Sequence, residues 1–216
     1  MTELNLQVVT METATLGMGC FWGPDSRFGH LPGVIRTRVG YAGGTSADPT
    51  YRNIGDHTET IEIDFDPSRL SYETILTIFW QNHNAIKDRH FKERQYLSLL
   101  LYHNEKQQAI AQRVKAEQEH ETGKKIQTEF QPYTAFYRAE ERHQKYFLNR
   151  FPKALETILP LFSDYTTFVD STIAARLNGF VREFGTLADI KAEISQWGLD
   201  PNSYSILETA LTNIKW

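Results

Sequence analysis

A single cysteine, Cys20, stands in 216 residues. That scarcity excludes an internal disulfide framework and fits a reducing compartment. No apolar run approaches the roughly 18 residues a membrane helix needs. The opening MTELNLQVVTMETATL lacks the basic flank and apolar core of a secretory leader. The expectation is a soluble, cytoplasmic, monomeric protein. Positive charge is also short: 23 Lys and Arg face 27 Asp and Glu, a net charge of −4. That excludes a basic footprint for nucleic acid, and KK at 124–125 and RHQK at 142–145 read as solvated surface. No spacing resembles a metal site, and no internal repeat or low-complexity segment is visible.

What is present is globular. Hydrophobic residues make up 40% and charged residues 23%, and the length suits one or two domains. ATLGM (14–18) reads as a short buried strand, and Cys20 to about His30 as a helix closed by LPG at 31–33. VIRTRVGY (34–41) is a strand with two mixed faces. A long loop rich in Gly, Pro, Asp and Ser follows at 42–57. TETIEIDF (58–65) alternates cleanly, with Ile61, Ile63 and Phe65 on one face and Thr60, Glu62 and Asp64 on the other. Ser71 caps an amphipathic helix over 72–82. A polar loop (83–94) leads to a buried strand, QYLSLLLYH (95–103). A polar helix from Glu105 ends at Gly123, and KIQTEF (125–130) is one more strand. This order predicts an α+β, ferredoxin-like two-layer sandwich with a mixed sheet. Helical spacing takes over in 137–151, 186–198 and 202–216. The expected division is a catalytic domain over 1–159 and a helical C-terminal extension over 160–216.

Cys20 lies in GMGCFWG. A lone cysteine is often a buried small hydrophobe, but this one sits where a strand turns into a helix. Unpaired N–H groups at the helix start favour a thiolate, and Gly17, Gly19 and Gly23 let backbone approach it. Phe21 and Trp22 are either core residues or the walls of a pocket sized for a methyl group. Glu59 has the parity of the apolar face, so burial would hold its proton; a solvent-reaching strand end is the alternative. Tyr51 and Tyr96 could donate to a substrate oxygen. His57, His83 and His143 leave a Cys–His hydrolase open, and a non-catalytic binding protein is the third reading.

GCFWG, LPGV, GYAGG, PTYRNIGDHTE, FDP, SYE, FWQNH, QYLS and FYRAEERHQKY resemble the peptide-methionine (S)-S-oxide reductases over about 14–150. VDSTIAARLNGF resembles a helical tail found in some members. The resemblance implies that Cys20 is the nucleophile, and that Phe21 and Trp22 receive the sulfoxide methyl. Glu59 would protonate the oxygen while Tyr51 and Tyr96 hydrogen-bond it. His143 and Tyr146 would line the substrate site. Cys20 would become a sulfenic acid, with no bound cofactor. The implied partners are oxidised proteins or peptides bearing methionine S-sulfoxide and an external thiol, a thioredoxin-type protein or a small thiol. Many relatives carry resolving cysteines; here Ile54 occupies one such region. Many also carry a Gly-Asn-Asp-x-Gly-Thr-Gln-Tyr-Arg segment where this chain has DRHFKERQYLS, shorter, without that aspartate, and with Phe91 near its place. That departure bears on contacts to the substrate backbone.

Overall fold

The computed structural model describes residues 10–86 and 94–216. The ferredoxin-like core alternates as expected: β1 (Glu12–Met18), α1 (Trp22–Gly29), β2 (Val34–Ala42), β3 (Thr58–Phe65), α2 (Tyr72–Gln81) and β4 (Ser98–Tyr102). Then come α3 (Glu105–Thr122), β5 (Glu129–Pro132) and β6 (Phe136–Arg138). The sheet runs β5-β4-β1-β3-β2-β6. Only β4–β5 pairs in parallel, across the α3 connection; the other neighbours are antiparallel. The sheet is therefore mixed, as expected.

β3 is central, so all eight of its residues are buried. Its apolar face, Ile61, Ile63 and Phe65, joins Ala14, Leu16 and Phe28 beneath Ile75, Leu76 and Phe79 of α2 and Val114 of α3. Its polar face is buried because charges pair across strands. Asp64 accepts from Thr13 at 2.6 Å, Arg36 at 2.6 Å and Arg38 at 2.8 Å, and Arg38 also reaches Glu62 at 3.0 Å. Helix ends follow local chemistry. Ser71 accepts from Thr74 N–H, Gly123 turns left-handed (φ 64°), and Thr186 with Asp189 forms a capping box.

Three expectations move. The strand expected over 95–103 begins at Ser98, and Arg94–Tyr96 is instead a 3₁₀ turn. Arg94 causes this: its guanidinium donates to Asp56 O (2.6 Å) and Gly43 O (2.9 Å), pulling the chain over the 42–57 loop. β5 starts later than 125 because Ile126 and Gln127 bond elsewhere, to Glu119 and to Ala85 O. The helix expected over 137–151 is β6 followed by 3₁₀ turns (Glu141–His143, Leu148–Arg150). Between those turns Lys145 adopts φ 49°, which stops helix propagation.

The remaining helices are α4 (Pro152–Ile158), α5 (Tyr165–Val169), α6 (Thr172–Phe180), α7 (Leu187–Ile194) and α8 (Pro201–Asn213). They share a second apolar cluster running from Leu148 to Ile214. No helix among the described residues is long and apolar enough to cross a membrane.

Candidate active site

The end of β1 delivers the nucleophile. Gly17 is tightly packed, since a Cβ there would sit 2.9 Å from Thr58 Cγ2 and 3.1 Å from Leu97 O. Gly19 turns the chain with φ 91°. Gly23 is different: nothing lies near its missing Cβ, so close approach does not require it. α1 then starts at Trp22 with no side-chain cap, and its first N–H groups find other acceptors. Phe21 N–H donates to Glu59 Oε2 at 3.1 Å, and Trp22 N–H lies near enough to the Cys20 sulfur to favour its thiolate.

Cys20 is solvent-accessible, yet packed protein still strips its sulfur of water. The thiol is held above its ordinary value, mainly by this desolvation and further by the charge of Glu59. The Trp22 N–H opposes both but does not win. The expected lowering of the thiol is thereby corrected: one oriented N–H is weaker than burial beside a carboxylate.

Glu59 meets its expectation. It is 1% exposed, on the apolar face opposite Tyr41 of β2. Burial raises its proton affinity, while Gln95 and Phe21 N–H pull it down. Gln95 Nε2 donates to Glu59 Oε1 at 2.7 Å and reaches the Tyr96 hydroxyl at 3.2 Å. Tyr96 is pushed up to about 12, first by burial and then by Glu59, Tyr51 and Cys20. Tyr96 therefore lies close enough to Glu59, Tyr51 and Cys20 to feel the charge of each. The position of Tyr96 is corrected, to the 3₁₀ turn before β4, and the turn is what carries it over Glu59.

The aromatic side of the site also assembles. Phe21 is buried with Val39 and Tyr41, its ring 5.5 Å from His143. Trp22 stacks on Tyr146 at 3.7 Å with planes 3° apart and donates from Nε1 to His143 Nδ1 at 3.2 Å. Tyr51 lies 4.7 Å from the His143 ring. Burial lowers His143, which keeps its ring neutral and Nδ1 able to accept. Of the pair, Phe21 is buried in a cluster with Val39 and Tyr41, and Trp22 is half-buried beside His143 and Tyr146.

Glu140, Tyr41, Gln95 and Arg94 were not singled out from the sequence. Glu140 accepts from the Tyr41 hydroxyl (2.8 Å) and from Tyr51 N–H (3.2 Å), tying the 42–57 loop to β2. Tyr41 had one available signal, the β2 parity that sets it opposite Glu59. The hydrogen bonds of His57 run to Gly44 and Ser46, and those of His83 to Phe79 and Ser98. His57 is thus engaged within its own loop rather than directed at the sulfur, as a Cys–His hydrolase would need. Most of the departing DRHFKERQYLS segment, including Phe91, falls at 87–93, outside the described residues.

The arrangement can hold a proton on a buried carboxyl beside a thiol, with tyrosine hydroxyls and stacked aromatic rings nearby. Comparisons point to one chemistry for it. The family model described as Peptide methionine sulfoxide reductase matches residues 12–167. The chain is 44% identical over 215 residues to the Peptide methionine sulfoxide reductase of Drosophila melanogaster, covering 92% of this chain and 82% of that one. It is 39% identical over 179 residues to Peptide methionine sulfoxide reductase A5 of Oryza sativa subsp. japonica, covering 81% of this chain and 70% of that one. Among solved structures, Methionine sulfoxide reductase A of Corynebacterium diphtheriae superposes with a TM-score of 0.55 at 27% identity, over 66% of this chain and 76% of that one.

Proposed function

The chain belongs to the peptide methionine sulfoxide reductase family and is an oxidoreductase acting on methionine sulfoxide, and from that premise we propose how its own residues carry the reaction. The observation that carries the proposal is the 3.1 Å bond from Phe21 N–H to Glu59, which fixes the acid beside the residue that follows the nucleophile.

The substrate methyl packs on Trp22, beside His143 and Tyr146. The Cys20 thiolate attacks the sulfoxide sulfur while Glu59 gives a proton to its oxygen, and Tyr51 and Tyr96 donate to that oxygen as its charge grows. The oxygen passes to Cys20. Methionine leaves with its sulfur reduced by two electrons, and Cys20 becomes a sulfenic acid, oxidised by the same two. Protonated Glu59 also removes a negative charge that disfavours the thiolate, so acid and nucleophile prepare each other.

Cys20 is the sole cysteine of this sequence. An external thiol therefore condenses with the sulfenic acid, releasing water, and a second thiol frees Cys20 as a disulfide leaves. A thioredoxin-type protein or a small thiol in a reducing, cytoplasmic setting suits this step. Residues 1–159 carry the chemistry, and 160–216 support it.

Pure S and R epimers of a methionine sulfoxide peptide and of the free amino acid, each with excess dithiol, test the reading. Methionine should form from the S epimer, and Cys20→Ser should abolish it. Without reductant, one equivalent of substrate should add one oxygen to Cys20. No turnover of either S-sulfoxide would sink the assignment.

A further inference from the structure

What aims the acid is a separate question, and its answer rests on the reductase reading. Among the described residues each carboxyl oxygen of Glu59 is held once, Oε2 by Phe21 N–H and Oε1 by the Gln95 amide. The same amide nitrogen reaches the Tyr96 hydroxyl. It has two hydrogens, one for each partner. The Tyr96 oxygen thus accepts from Gln95, which turns its own hydrogen away from Glu59 and toward Tyr51, where a substrate oxygen can take it over. Each carboxyl oxygen keeps one lone pair on which a proton can sit. We propose that Gln95 is a positioning residue: its two N–H groups clamp Glu59 and Tyr96 so that both proton donors aim at one substrate oxygen.

The clamp has an electrostatic side. A donor on Glu59 Oε1 favours the carboxylate and opposes burial, so Gln95 keeps the acid from holding its proton too tightly. The titratable groups facing Glu59 are Cys20 ahead of α1, Tyr41 opposite it on β2 and Tyr96 on the 3₁₀ turn, with Tyr51 next to Tyr96. Gln95 does not titrate, nor does Phe21 N–H, so the pull of both donors is constant with pH.

The test is kcat/KM against pH for a methionine S-sulfoxide peptide with excess dithiol. The reacting form pairs a thiolate with a protonated acid, although the thiol is the weaker acid of the two. In such a reversed pair the acid limb of the profile reports Glu59 and the alkaline limb reports Cys20. In Gln95→Leu both donors are gone. The acid limb should move up by about one pH unit, kcat should fall about tenfold from lost aim, and the pH dependence of Cys20 alkylation should stay put. Gln95→Glu, close in size, adds a like charge and should move the acid limb further in the same direction. It supplies the same readout if the leucine variant is unstable. A wild-type acid limb in both variants overturns the proposal, and so does a uniform loss of activity with that limb unmoved, which would mark a structural role only. A wild-type chain that reduces no S-sulfoxide overturns the reductase reading itself, before any variant is compared.

Discussion

Glu59 works against the fold it sits in. Burial raises its proton affinity above the ordinary 4.5, so the folded chain binds more protons than the unfolded one over a window that opens near that value. Stability then falls as pH rises through the window. Glu59→Gln keeps the shape and an acceptor for Phe21 N–H, and Gln95 can turn its amide to meet the new one. Activity should drop by about 10²- to 10⁴-fold. Stability should instead rise relative to wild type, and the gap should grow as pH rises above about 4. Urea titrations of both proteins across that range give the answer. A gap that narrows with pH would place Glu59 below its ordinary value and remove it as a general acid. This is the cost to stability expected when a site needs a strained charge.

At the scale of elements, local pattern was readable: the parity of β3, the cap at Ser71 and the stop at Gly123. Glu59 was found because a single alternating strand fixes which way it faces. Gln95 and Glu140 were not, because their roles depend on which loops meet. Gln95 is lifted to Glu59 by Arg94 reaching Gly43 and Asp56, contacts that no local pattern encodes. The segment 137–151 was misread because its apolar spacing suits a helix, whereas tertiary bonds claim its backbone. Lys145 shows this best. Its fully buried Nζ donates to Asp25 Oδ1 (2.7 Å), Thr37 O (2.7 Å) and Thr37 Oγ1 (2.8 Å), tying the turn that bears His143 and Tyr146 to α1 and β2. RHQK had read as solvated surface, and for His143, Gln144 and Lys145, all buried, that is wrong. All three donors of Lys145 are used, so the group is satisfied, although burial lowers its proton affinity. Lys145→Met should cost about 3–5 kcal/mol by leaving Asp25 buried without its partner. Adding Asp25→Leu should recover part of that loss, and a double-mutant cycle measures the coupling. Additive losses would mean that the pair contributes nothing beyond its packing.

The whole molecule raises the question of what the C-terminal helices do for a site they do not line. Their contact with the core is specific. Arg176 of α6, 2% exposed, donates from Nη1 to Gly29 O (2.6 Å) and from Nη2 to Val34 O (2.8 Å), while Glu193 of α7 accepts from Nε at 2.7 Å and from Nη2 at 2.8 Å. Thr172 adds a bond to Ile35 O at 2.7 Å. These bonds fall at the far end of α1, an eight-residue helix whose other end adjoins Cys20, a separation of about 12 Å along the axis. Arg176 can therefore anchor the helix without touching the chemistry. Arg176→Met would leave Glu193 and two carbonyls short of partners, lowering stability by about 2–5 kcal/mol. Assayed well below its melting temperature, however, the variant should keep kcat within about twofold, since additivity is expected of sites this far apart. The supporting helices also share their apolar cluster with Leu148, Ala154 and Ile158, which lie before residue 160. A chain ending at 159 would strip those residues of their cover and expose α1, so it should lose cooperative thermal unfolding. If that fragment instead melts like the full chain, or if Arg176→Met loses kcat while keeping its melting temperature, the helices are doing something other than support.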